Sequence, residues 1–572
     1  MNDIKKLYDL WLTSADADKD LIPELESIKG DDEAILDRFY KNLEFGTAGL
    51  RGVIGAGTNR MNVYTVNQAT QGLADYLNEE FENPSVAIAY DSRIKSKEFA
   101  ESAAGVLAAN GIKVYIYPEL VPTPMLSFAV RRLNCSSGII ITASHNPSKY
   151  NGYKCYDPNG YQMTDEAAEK TYNYIQNIDM FSGVKTMDFE DALAEDMVDF
   201  IEDWLYDEFY EKVLSCRVNA DAIKKSGLKI IYTPLNGAGN KPVRKVLKKA
   251  GIKDVVVVKE QEKPDGKFPT CPYPNPEIRQ AFECAIETAK GTDADLLLAT
   301  DPDCDRVGIA VRDGDGYVLM TGNEVGAMLC EYLLSNLKEQ NKLPQNPIVV
   351  KSIVTTPLIE AICKEYNAEV ADLLTGFKYI GELITNLEKD GKEDNFVIGM
   401  EESYGYLRGI HARDKDAVVA SLMIAEMAAV YKLKGISLKQ FMDSIYEKYG
   451  MYLNTVMNFA FEGASGMQKM ADIMESLREN APRVFGNKSV IKIADYKESK
   501  IIDNVTGETS EINLPKSNVL SYSLEDNSKV IVRPSGTEPK IKVYVTACGQ
   551  TRKDSEEKTE LLSQDAKEIL GV

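Results

Sequence analysis

Three carboxylates at alternate positions, Asp301, Asp303 and Asp305, follow the apolar run ADLLLAT. Oxygen ligands at this spacing can converge on one hard cation, Mg²⁺ or Mn²⁺. An EF-hand starts the same way but needs glycine at its sixth position and glutamate at its twelfth; Arg306 and Arg312 occupy those positions here, which excludes it. The plainer alternative is a solvated acidic turn, like Asp313-Gly314-Asp315-Gly316 downstream. Pro302 and the apolar run before it favour a rigid site. Ser144 ends another apolar run, in Thr142-Ala143-Ser144-His145-Asn146-Pro147. A nucleophile elbow would read G-x-S-x-G, so a Ser-His-Asp hydrolase is disfavoured. The chain has only two histidines, His145 and His411. The Ser144-His145 dipeptide alone fits an ordinary turn serine, since chain neighbours often point apart.

Other residues suit anions. Arg533 and Lys540 bracket Ser535, Gly536 and Thr537. Two cations, two hydroxyls and a glycine-opened backbone can cradle a phosphate, although a polar hairpin loop has the same composition. The nucleotide P-loop pattern G-x-x-x-x-G-K-[ST] is absent. Arg51 lies in the glycine-rich segment FGTAGLRG, residues 45–52, which either admits a ligand to the backbone or merely builds turns. Lys154 and Lys378 each follow a glycine-containing turn; a lysine desolvated among cations could serve as acid or base.

Positioning these groups requires a large protein. The 572 residues exceed the length of one typical domain, and 44% hydrophobic residues permit an extensive core. A formal net charge of −22 makes nucleic acid and anionic membranes poor partners. The nine cysteines form no C-x-x-C pair, so a disulfide scaffold or structural zinc is not expected and a reducing compartment fits. The N-terminus does not resemble a signal peptide, and no apolar stretch approaches the ~20 residues of a membrane span. A cytoplasmic location is expected.

A strand–helix–strand pattern recurs three times. It begins with VAIAY (86–90), LKIIY (228–232) and IVVKSI (348–353), and predicts parallel sheets covered by helices. A further apolar strand then runs into a polar loop: SGIIITA into Ser144, ADLLLAT into Asp301, NFVIGM into Glu401-Glu402-Ser403. Ligands bind beyond the carboxyl ends of strands in such sheets, so three loops are offered to one cleft, although repeats need not share a site. Around 530–545 two strands flank the 533–540 loop and a polar helix ends the chain, which suggests a smaller α+β domain. Polar stretches near 185–200 and 455–500 read as joints.

Together the segments resemble the α-D-phosphohexomutase superfamily. TASHNP (142–147), DPDCDR (301–306), EES (401–403) and RPSGTEP (533–539) match its motifs in order. Supporting matches are FGTAGLRG, NGYK (151–154), FP with PNPE (268–277) and RDKD (413–416). The resemblance spans nearly the whole chain and looks most like the phosphoglucomutase/phosphopentomutase branch. It implies an α/β fold: three related α/β domains with mixed parallel sheets and a smaller C-terminal α+β domain around one central cleft. The corresponding ranges are 1–210, 211–322, 323–455 and 456–572.

The implied catalytic set is Ser144 as phosphoserine, Lys154 and Lys378 as acid/base candidates, Arg51 near the phosphoserine, and His145. Asp301, Asp303 and Asp305, with Ser144, would hold one Mg²⁺. Glu401 and Ser403 would bind sugar hydroxyls; Arg533, Ser535, Gly536, Thr537 and Lys540 would grip the non-reacting phosphate. The implied reaction interconverts glucose 1-phosphate and glucose 6-phosphate through glucose 1,6-bisphosphate, as intermediate and activator. Pentose or mannose phosphates are alternative substrates, and a phosphatase or a non-catalytic sugar-phosphate-binding protein is a different class. The partners are small sugar phosphates, and oligomeric state is left open. One departure stands out: some members place Gly-His after the E-x-S serine, whereas Tyr404-Gly405-Tyr406 follows Ser403 here, leaving His411 as a distant substitute.

Overall fold

The computed structural model describes residues 2–46, 49–461, 466–535 and 540–571. It divides into two compact units: Met1–Met320 with Ile380–Glu393 and Tyr404–Ser437, and Thr321–Tyr379 with Asp394–Ser403 and Leu438–Val572.

The first unit contains two mixed sheets. In one, the buried run Ser137–Ile141 lies beside the parallel strand Ser85–Tyr90, which in turn pairs in parallel with Lys113–Ile116. On its other side Ser137–Ile141 pairs antiparallel with Tyr150–Tyr156, which pairs antiparallel with Gly49–Val53. Burial on both faces explains why the central strands read as uninterrupted apolar runs. Helices Val63–Glu80 and Ser96–Ala109 pack here, and Val66, Leu73, Phe99, Ala103 and Ile139 share one core. N-terminal helices Asn2–Ser14, Leu21–Ser27 and Asp32–Phe39 gather around Trp11, whose ring meets Phe39 and Tyr64 edge-on. In the second sheet, Leu296–Thr300 pairs in parallel with Lys229–Thr233 and antiparallel with Val307–Asp313.

In the second unit, Ile348–Ser352 is flanked in parallel by Glu369–Leu373 and Phe396–Glu401. The C-terminal sheet is antiparallel, with Lys540–Gly549 between Met451–Ala460 and Lys529–Pro534. Helices Gly466–Glu479 and Arg552–Leu570 cover it through Met474, Leu477, Leu562 and Ala566. The two layers meet where Ile353, Val354 and Leu374 pack with Tyr496, Ile531 and Tyr544.

The three α/β repeats and the C-terminal α+β layer agree with the sequence reading. The joints do not. Residues 185–200 hold helix Phe189–Ala194 and strand Val198–Phe200, and 455–500 contribute the greater part of strands Met451–Ala460 and Lys488–Asp495 and helix Gly466–Glu479. These elements each turn one face to solvent, and that face supplies the polar composition that resembled a linker.

Candidate functional site

Each sequence-predicted loop stands at the carboxyl end of its strand, and each contains one non-glycine residue in the left-handed region: Ser144 at φ +52°, Cys304 at +51° and Tyr404 at +65°. Such conformations persist only where surroundings enforce them.

In the first unit, Ser144 is 4% exposed and its Oγ donates to Asp301 Oδ2 at 2.9 Å. Despite the adjacency in sequence, His145 turns back, with Nδ1 3.1 Å from the same Oγ. The hydroxyl proton is directed to Asp301, so Nδ1–H is the donor in that contact. Burial first, then the charges of Arg306 and Arg51, push the His145 pKa well below its ordinary value, leaving a neutral imidazole. Gly152 lies where the strands approach closely; a Cβ there would meet the Thr142 carbonyl oxygen at 2.5 Å.

The three aspartates converge. Each offers an oxygen, all within 4.8 Å of one another, and all three are buried. Asp301 Oδ1 accepts the main-chain N–H groups of Asp305 and Arg306. Asp303 Oδ2 accepts from Thr123 Oγ1 at 3.0 Å and Lys154 Nζ at 3.1 Å, and Lys415 Nζ lies 3.2 Å from Asp305 Oδ2. Asp303 Oδ1 and Asp305 Oδ1 are buried without a hydrogen-bond donor. Burial and the charges of Asp303 and Asp305 drive the Asp301 pKa well up. Burial also opposes the Asp303 charge, but Lys154, with help from Lys415, outweighs it and holds Asp303 well below the ordinary carboxylate range. Mutually repelling buried carboxylates with orphaned oxygens are a donor set fitted to a divalent cation, and the solvated-turn alternative is set aside.

In the second unit, Glu401 is 6% exposed and its Oε1 accepts the Gly376 N–H at 2.8 Å. Gly376 turns at φ +125°, a conformation costly for other residues. The neighbouring Glu402 Oε2 accepts from Ser352 Oγ at 3.0 Å, and its N–H donates to Thr355 Oγ1. Ser403 is half-buried. Lys378, near the start of helix Phe377–Lys389, holds Nζ 5.1 Å from the Tyr379 ring centroid. Arg533 and Lys540 lie on adjacent strands, and the Ser535 N–H donates to the Lys540 carbonyl at 2.7 Å. Gly536 and Thr537 lie outside the described residues. Tyr544 joins the loops: burial and then the nearby Glu402 charge push its hydroxyl up to about 12, while Arg533 opposes the rise.

Thus Ser144, His145, Lys154 and the aspartates come together in one unit, while Glu401 and Arg533 surround Tyr544 in the other. Arg51 occupies the strand pairing with 150–154 and adds its charge near His145. His411 stands apart from Ser144's hydroxyl partners: its Nε2 lies 2.8 Å from Asp416 Oδ2, its ring packs on Phe209, and Asp416 caps helix Ala417–Leu433. Sequence reasoning missed Asp91, Arg93, Thr123 and Tyr544, and used Lys415 only as part of RDKD. Asp91-Ser92-Arg93 carried a usable signal, because it too follows an apolar strand, Ser85–Tyr90.

Comparison with known proteins gives a consistent result. The family description "Phosphoglucomutase/phosphomannomutase, alpha/beta/alpha domain I" matches residues 42–181, domain II 207–314, domain III 321–449 and the C-terminal domain 492–562. A phosphoglucomutase of Staphylococcus saprophyticus is 38% identical over 503 residues, covering 88% of this chain and 90% of the relative. One from Staphylococcus aureus (strain MRSA252) is 37% identical over 512 residues, covering 89% and 90%. Among solved structures, the Paramecium phosphoprotein pp63/parafusin, a phosphoglucomutase in open form, superposes with a TM-score of 0.69 at 18% identity, covering 93% of this chain and 96% of that one. A phosphoglucomutase/phosphomannomutase family protein from Burkholderia thailandensis gives 0.66 at 18%, covering 92% and 97%. At that identity the structures speak for the fold.

Proposed function

We propose, on the premise that this chain belongs to the phosphoglucomutase/phosphomannomutase family, that it interconverts glucose 1-phosphate and glucose 6-phosphate by way of a phosphorylated Ser144. The enzyme class is isomerase, of the mutase kind. The observation that carries the reading is the 2.9 Å bond from Ser144 Oγ to Asp301, inside a buried aspartate cluster with two orphaned oxygens.

Phosphoryl transfer asks for in-line positioning and charge neutralisation. In the forward direction the C6 hydroxyl of glucose 1-phosphate loses its proton to a basic group and attacks the phosphorus on Ser144. The bond to Oγ breaks, and Oγ takes up a proton. The resulting glucose 1,6-bisphosphate turns over, and Ser144 Oγ gives up its proton and attacks the C1 phosphorus. The bond from that phosphorus to the C1 oxygen breaks, and the C1 oxygen takes up a proton as glucose 6-phosphate leaves. Asp301, Asp303 and Asp305 would hold Mg²⁺, which supplies positive charge to the phosphoryl oxygens. Lys154 and Lys378 are the proton carriers in this reading, and Arg51 supports the phosphoserine. His145, neutral and bonded to Oγ, orients it. Glu401 and Ser403 bind sugar hydroxyls; Arg533, Ser535, Gly536, Thr537 and Lys540 bind the non-reacting phosphate. A cytoplasmic setting belongs to the same reading and is supported by nine cysteines standing as free thiols.

The test compares kcat/KM for glucose, mannose and ribose 1-phosphates, each with its matching bisphosphate, and measures free phosphate alongside. Glucose 1-phosphate is expected to lead. A pentose leaves polar groups unpaired, at about 1–3 kcal/mol each. A tenfold lead for ribose 1-phosphate, about 1.4 kcal/mol in transition-state binding, would make the chain a phosphopentomutase. Release of phosphate without isomerised product would make it a phosphatase.

A further inference from the structure

Arg93 is a buried arginine for which the transfer steps above have no role. Its side chain is 0% exposed. Nη1 donates to the carbonyls of Pro147 and Tyr150 at 3.1 and 3.0 Å, and Nη2 donates to those of Ser144 and Asn146. Nε faces Asp91 Oδ2 at 3.3 Å. The guanidinium also stacks on Phe268, 5.1 Å from the ring centroid. Phe268 belongs to a loop that approaches so closely that a Cβ on Gly266 would meet Ile94 N at 2.5 Å. Nε makes no hydrogen bond and meets Asp91 only as an ion pair, while both Nη groups are directed to main-chain carbonyls, so Arg93 is not built to grip a phosphate itself.

These bonds act on one residue from both sides. Asp91 Oδ2 accepts from Thr142 Oγ1 at 2.7 Å, and Thr142 Oγ1 accepts the Ser144 N–H at 2.8 Å. Asp91 Oδ1 also accepts from Ser96 Oγ and from the Arg93 N–H. The N–H of Ser144 is therefore held through Thr142 and Asp91, and its carbonyl through Arg93. Ser144 is a non-glycine residue at φ +52°, a conformation that must be over-determined to persist.

We propose that Arg93 is a positioning residue for the transfer step: by binding the carbonyls of Ser144, Asn146, Pro147 and Tyr150 it enforces the backbone conformation that aims Ser144 Oγ at Asp301. The proposal rests on the phosphoryl-transfer reading of Ser144. Arg93 acts through the loop, so its loss should slow transfer and leave substrate binding nearly intact.

The experiment measures kcat, KM and phosphorylation of Ser144 by intact-protein mass, in wild type, Arg93→Gln, Arg93→Lys and Thr142→Val, well below each unfolding temperature. Misplacement by about 1 Å costs about 10²-fold in rate, so Arg93→Gln should lose about that factor in kcat with KM within about threefold. Arg93→Lys keeps the charge and up to three donors, and should recover about tenfold of the loss. Thr142→Val frees the opposite side of Ser144 and should show the same kcat-selective defect. It and Arg93→Lys decide the matter if Arg93→Gln does not fold. A kcat within about threefold of wild type in these variants, a loss carried by KM, or a lysine variant no better than glutamine overturns the proposal. A wild type that turns over beside such results overturns this proposal alone. A wild type with neither phospho-Ser144 nor mutase turnover overturns the functional reading together with it.

Discussion

The serine–aspartate cluster and the loops proposed to bind sugar and phosphate are built to different standards. Ser144, Asp301, Asp303 and Asp305 are between 0 and 4% exposed, and each has a fixed hydrogen-bond or ion-pair partner, with Asp303 Oδ1 and Asp305 Oδ1 left without a donor. Ser403, Arg533, Ser535 and Lys540 are only half-buried, and among the described residues of that group Glu401 alone is buried. The difference matches two tasks. Transfer of a phosphoryl group gains from groups already oriented and dry, where charges act strongly. In the proposed cycle, binding must accept a sugar phosphate in two orientations, which a fully wired pocket would forbid. Burial and fixed partners are thus concentrated where the proposed transfer takes place.

Four measurements would break or sharpen that contrast. Ser144→Ala should fold and lose more than about 10³-fold in mutase turnover, the scale seen when a nucleophile is removed; wild-type-like turnover would end the phosphoserine mechanism. Chelation should abolish activity, and Asp303→Asn should weaken Mg²⁺ activation by about 10²-fold. Full turnover in metal-free protein would contradict the reading of the orphaned oxygens.

The third measurement concerns stability. Burial works against the charge on His411, but its bond to Asp416 and the neighbouring Cys216 outweigh burial and raise its pKa to about 9. The folded value exceeds the unfolded one of about 6.5, so this contribution is complete below pH ~6.5 and is lost as pH rises through about 9. Denaturant titration should lose about 2 kcal/mol between pH 7 and 9, and His411→Gln should flatten that slope. An unchanged slope in the variant would exclude His411 as its source. The smallest effect is expected in the looser half: Arg533→Ala should raise KM about tenfold with little change in kcat, as loss of a charge-assisted bond to a bound phosphate requires. A kcat-selective loss would place Arg533 with the rigid cluster and erase the distinction.

Much of this was legible because the chemistry sits at strand ends. An apolar run followed by a polar loop marks both the core strand and the place where a ligand can sit, so Ser144, Asp301 and Glu401 were visible together with the strands that carry them. The polar stretches at 185–200 and 455–500 misled because one-sided burial lowers apolar content while leaving the backbone regular. Lys154 and Lys378 looked alike, each a lysine after a glycine-containing turn. The structure separates them: Lys154 pairs with Asp303, while Lys378 lies beside Tyr379.

The sequence by itself determined which groups are present, the order of the repeats and the strand behind each loop, because periodicity and local turn chemistry are written in neighbouring residues. Tertiary structure alone decided which distant residues share a charge. Lys154 and Lys415 meet the aspartates from segments about 150 and 110 positions away, and Arg93 reaches the Ser144 carbonyl across about 50. No local pattern encodes such pairings; they exist only once the sheets have packed and burial has made an unpaired charge too costly to leave.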